Sequence, residues 1–90
     1  MAHKWTEHDD LTAFYVCKFG PDRIASSMQE VAERLRIAPN SFGMRVGNFK
    51  ALLGAGGLDN YSRQSETVYE HHKNLPEPEL RALVLRGFAK

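Results

Sequence analysis

Glycine and proline punctuation divides this chain into stretches of helical length, and that constrains the fold more than any other feature. Gly20-Pro21-Asp22, the run Gly54 to Gly57, and Pro76-Glu77-Pro78-Glu79 are breaks. Between them the apolar residues recur at helical spacing. Thr6 fits an N-cap, with Asp9 three residues later where a capping-box acid belongs, so a first helix is predicted to about Lys18, with Leu11, Phe14 and Tyr15 on one side. Glu7, Asp9 and Asp10 suit the positive end of its dipole. Trp5, just ahead, is expected to pack back as a core anchor. Ser26 or Ser27 caps a second helix whose stripe is Met28, Val31, Ala32 and Leu35, and Ile37 closes the core after a short turn. Pro39 suits a first helical position, and a third helix is predicted from about Pro39 to Leu52 with Phe42, Val46, Phe49 and Leu53 as its apolar side. Gly54 supplies a left-handed stop. Ser62 caps a fourth helix to about Asn74, and Pro78-Glu79 opens a fifth with Leu80, Leu83, Val84 and Phe88 inward. Leu85 points elsewhere, which suggests a packing partner or a homodimer contact through the C-terminal helix. The expectation is one all-α domain over residues 1–90: a bundle of about five helices, with a helix-turn-helix core over about 4–53 and C-terminal helices over about 62–89.

Charge is balanced overall and separated locally. The chain has 12 basic and 11 acidic side chains, yet Arg34 to Leu58 contains Arg34, Arg36, Arg45 and Lys50 and no acid. An acid-free basic segment around a helix is the simplest footprint of a phosphate-binding surface. On a helical wheel the third helix turns Asn40, Ser41, Met44, Gly47, Asn48 and Ala51 away from its apolar stripe. That side is small and polar, so a backbone or a base edge could approach it closely. The competing reading is a surface helix with a solvated face.

Composition removes several function classes. The single Cys17 excludes an internal disulfide and a cysteine-based zinc site. No stretch has the roughly 18 apolar residues of a membrane span. The N-terminus lacks an apolar signal core, so a cytoplasmic protein is expected. His71-His72-Lys73-Asn74 lies in a predicted helix with no cysteine pairs and no strands after it, so it reads as surface, as do His3 and His8. Gly56 and Gly57 lack the lysine-serine pair of a phosphate loop and read as turn residues. No catalytic residue, cofactor or metal is expected, and the chain reads as a non-enzyme.

Two resemblances enter with these residues in view. Trp5-Thr6-Glu7 with Asp9, Asp10 and Leu11, followed by Val31-Ala32-Glu33-Arg34-Leu35, looks like a Myb/SANT-type three-helix domain. Val31 to Leu35, Ala38-Pro39-Asn40-Ser41-Phe42, Arg45-Val46-Gly47-Asn48-Phe49 and Gly57-Leu58-Asp59-Asn60-Tyr61-Ser62 resemble the N-terminal domain of HNH-type restriction endonucleases. The resemblance covers about Lys4 to Tyr69. It implies a helical DNA-recognition module, connected with restriction or phage defence, that stands before a nuclease; no nuclease part follows here. The turn glycine usual in a helix-turn-helix is replaced by Arg36.

On this reading Arg34, Arg36, Arg45, Lys50 and Arg63 contact phosphate in duplex DNA, which positions the domain without reading sequence. Asn40, Ser41, Met44 and Asn48 face the groove, where asparagine can pair with adenine and methionine can touch a pyrimidine methyl. Asn48 has a structural alternative, the fixing of its own loop. Arg45 borders the apolar stripe, so its stem is expected to be partly buried. The rival reading is a protein-interaction adaptor or inhibitor that uses Met44, Leu85 and Phe88; a third is a nuclease fragment completed by a separate chain.

Overall fold

The computed structural model describes residues 4–54 and 62–89, and these form five α-helices. They are α1 Glu7–Phe19, α2 Met28–Leu35, α3 Pro39–Leu52, α4 Arg63–His72 and α5 Glu77–Phe88. The all-helical fold expected from the punctuation is the one observed. The expected roles of Gly56, Gly57 and Tyr61 fall outside the described residues.

The helix ends follow local chemistry. Thr6 and Asp9 make a reciprocal capping box at α1, with Asp9 N donating to Thr6 Oγ1 at 3.1 Å and Thr6 N donating to Asp9 Oδ2 at 2.9 Å. Ser27 caps α2 and Ser62 caps α4, each accepting from the backbone amide three residues on. The Glu30 carboxylate reaches back to the Ser26 amide and hydroxyl, and these donors, the amide first, hold its pKa below the ordinary range. α3 starts on Pro39 with no side-chain cap, and Gly54 follows its end at φ 79°.

α1 is the central strut. Asp10 meets Arg45 of α3 and Ser65 of α4; four residues on, Phe14 meets Phe49 of α3 and Tyr69 of α4; four further, Lys18 Nζ donates to the Lys73 carbonyl just after α4. Partners that advance together mean that α1, α3 and α4 run in the same direction. α5 runs against them: Tyr15 meets Glu77, whereas His8, seven residues earlier, meets Val84, seven residues later. Aligned dipoles put positive ends together, and Asp10, near the starts of both α1 and α4, offsets them. Lys18 does the converse at the far end of α4.

The core is Leu11, Ala13, Phe14, Tyr15 and Val16 of α1, with Ile24, Val31, Ala32, Ile37, Phe42, Val46, Phe49, Val68, Leu80 and Val84 around them. Two stripe positions depart from expectation. Met28, at the start of α2, and Leu53, beyond the end of α3, are exposed, because end residues project past the helix they would pack on. Trp5 packs against the core as expected.

Tight packing also sets one glycine. A Cβ on Gly87 would lie 2.0 Å from Cδ2 of His8, so the His8 ring occupies the space a side chain would need. Its Nε2 sits 2.9 Å from the Val84 carbonyl as donor, and its ring meets Phe88 edge-on.

Candidate nucleic-acid interface

The approach to α3 is built on Arg36. Arg36 N donates to the Glu33 carbonyl and Ile37 N to the Ala32 carbonyl, a Schellman closure that requires a left-handed residue between α2 and Ile37. Arg36 is that residue, at φ 60° and ψ 40°, and among the described residues it alone of the non-glycines has positive φ. Sequence reasoning placed it where a glycine is usual, and the backbone does take glycine's conformation there. An L-residue with a Cβ holds it at a cost of about 1–2 kcal/mol. The Arg36 side chain is exposed, with no hydrogen-bond or ion-pair partner among the described residues.

α3 then presents Asn40, Ser41 and Met44 to solvent. Met44 is 76% exposed; among the described residues the next most exposed large apolar side chain is Leu85 at 42%. A Cβ built on Gly43 or on Gly47 would meet nothing within 4 Å, so the fold does not require either glycine. Asn48 and Ala51 are half-buried at the margin of this face. Lys50 is exposed, and so is Arg63 on the first turn of α4. By the register that sets Arg45 level with Ser65, Arg63 is level with Gly43. Neither Lys50 nor Arg63 has a side-chain partner among the described residues. Arg34 is exposed too, but its guanidinium stacks on Phe88 at 5.3 Å and donates to the Ile24 carbonyl at 3.2 Å.

Arg45 departs from expectation. The acid-free segment predicts a cation without a carboxylate; instead Nε donates to Asp10 Oδ1 at 2.6 Å and Nη2 to Oδ2 at 3.0 Å. Its side chain is only 15% exposed, Asp10 is wholly buried, and the guanidinium lies 4.4 Å over the Trp5 ring. The two remaining lone-pair directions of Asp10 accept from Ser65 Oγ at 2.9 Å and Gln64 Nε2 at 2.5 Å. A buried carboxylate is tolerable only with such complete pairing. Arg45 therefore leaves the set of phosphate-facing cations and joins the core. The segment that lacks acids in sequence borrows one across 35 residues.

The sequence reading missed Asp10, Gln64 and Ser65 as a network. A signal was present. Asp10 shares a helix face with Phe14, and Ser65 shares one with Val68 and Tyr69, so both polar residues sit on core faces. Glu77 was missed likewise. It accepts from the buried Tyr15 hydroxyl at 2.6 Å and from Arg23 at 2.8 Å, and Arg81 Nε lies 3.2 Å away. The Tyr15 bond, then Arg23 and Arg81, hold its pKa below the usual carboxylate range, while burial first, and Glu77 second, push the Tyr15 phenol up to about 12. Burial also raises the Cys17 thiol, which suits a packed thiol rather than a nucleophile.

Nδ1 of His72 is engaged with the Val68 carbonyl of its own helix at 2.7 Å, and His71 is exposed. Among the described residues no group of three or more histidine, cysteine, aspartate or glutamate side chains is placed to hold a metal. Nor is any helix among them long and apolar enough to cross a membrane. Comparison with protein-family models, with curated proteins and with solved structures finds no match to this chain, so neither the Myb/SANT nor the HNH-endonuclease resemblance gains support from a relative.

Proposed function

We propose that this chain is a small, non-enzymatic DNA-binding module, with α2, the Arg36 turn and α3 acting as a helix-turn-helix pair on duplex DNA. The observation that carries the reading is the isolation of Arg36: an exposed arginine, without a partner among the described residues, held where glycine would be less strained. Stability is given up there for a cation beside α3. Lys50 and Arg63 add exposed charges with no carboxylate against them among the described residues, and Arg34 contributes its outer edge. These cations hold phosphate; Asn40, Ser41 and Met44 meet base edges, with Asn48 at the rim. Arg45 has an indirect part: its fork to Asp10 fixes α3 against α1 and α4. A place in restriction or phage defence belongs to this proposal and rests on the HNH-type resemblance alone.

The test is a titration with duplex DNA over a range of salt. Three to four phosphate contacts give a slope of log K against log salt of about −3. Absence of binding at low salt rejects the reading in favour of a protein-interaction adaptor, for which the exposed Leu85 on α5 is the starting surface. Cleavage of DNA on addition of magnesium, manganese or nickel, surviving repurification, rejects the non-enzyme part.

A further inference from the structure

We infer that Met44 makes the module sensitive to the C5 methyl group of pyrimidines, so that it favours DNA rich in thymine or 5-methylcytosine; this rests on the DNA-binding reading above. Met44 is the most exposed large apolar side chain among the described residues, at 76%. It stands on a helix face that carries no fixed charge at its centre. Its neighbours one turn away are Asn40, Ser41, Gly47 and Asn48, and Gly43 precedes it, so it is a single apolar knob in a ring of small or polar residues. The open space at Gly43 and Gly47 lets a second surface come close to the helix backbone. Exposed Arg36 precedes α3 and exposed Lys50 lies near its end, neither with an ion-pair partner among the described residues, and such charges complement a polyanionic surface.

The major groove admits an α-helix, and its base edges are hydrogen-bonding groups with one apolar exception, the pyrimidine C5 methyl. A thioether has no proton to donate and accepts only weakly. Its favourable contact in the groove is therefore that methyl. Asn40 and Ser41 supply the hydrogen bonds to neighbouring edges, and Met44 supplies the apolar contact. Covering a single methyl is worth about a fourfold change in affinity at each contacted position.

The experiment uses the full chain and three pools of short random-sequence duplexes: one with thymine, one with uracil in its place, and one with thymine and with 5-methylcytosine for cytosine. The expected order of affinity is 5-methylcytosine pool, then thymine pool, then uracil pool, each step smaller than the roughly fourfold worth of a methyl at a fixed position, because only part of a random pool carries one there. Met44→Ala is expected to flatten that order while still binding, and Met44→Leu to retain it. Equal binding of all three pools, or an order that persists in Met44→Ala, overturns the methyl inference and leaves DNA binding standing. Failure of every pool to bind at low salt overturns both.

Discussion

Arg45 closes on Asp10 as a two-bond fork, one residue from the middle of α3 and the other from the first turn of α1. Charge, hydrogen bonding and helix placement meet there. The carboxylate has no access to water, and α1, α3 and α4 each contribute to its surroundings. Removing either partner strands the other charge in the interior. Arg45→Ala or Asp10→Leu is expected to destabilise the fold by roughly 3–5 kcal/mol, measured by denaturant unfolding. Trp5, under the guanidinium, provides the fluorescence signal. A loss below about 1 kcal/mol for Arg45→Ala, the range of an exposed pair, would mean that the fork is not the anchor described.

Arg36 separates stability from binding. Arg36→Gly relieves the left-handed strain and is expected to stabilise the fold by about 1 kcal/mol. The same change is expected to lower DNA affinity and reduce the salt slope by about one. Measuring melting and binding on the one variant checks both signs. A stabilised variant with unchanged affinity would remove Arg36 from the interface.

Three glycines in helices are expected to respond in opposite directions to alanine. Gly43→Ala and Gly47→Ala meet open space, so each should stabilise the fold by about 1 kcal/mol through helix propensity. Gly87→Ala drives a Cβ into the His8 ring and should destabilise it by roughly 1–3 kcal/mol. Thermal melting of the three variants side by side is sufficient, and a stabilised Gly87→Ala would contradict the packing of His8 on α5.

The Tyr15–Glu77 bond gives a pH dependence at both ends of the scale. Glu77 has a depressed pKa, so its contribution is in place above the ordinary carboxylate value of 4.5 and fades as pH falls through the lower folded value. Tyr15 has a raised pKa, so its contribution is in place below pH 10.0 and is lost as pH rises towards about 12. The stability difference between wild type and Tyr15→Phe is therefore expected to narrow between pH 10.0 and about 12. A difference that stays constant over that interval would show that the Tyr15–Glu77 bond is not what separates the two proteins in stability.

The sequence by itself determined the helices. Caps at Thr6, Ser27 and Ser62, the prolines at 39 and 78, and the stop at Gly54 act over three or four residues, and local chemistry suffices to place them. The exposure of Asn40, Ser41 and Met44 was legible for the same reason, since on the helical wheel they fall outside the stripe of buried Phe42, Val46 and Phe49. Only the tertiary structure decided which charges are spent inside. Asp10 is 35 residues from Arg45 and 55 from Ser65, and Glu77 is 62 from Tyr15. Such pairs depend on which helix faces meet, and the parallel run of α1, α3 and α4, with α5 against them, sets that. A charge can be counted along the chain, but whether it is neutralised depends on what the fold brings within about 3 Å of it.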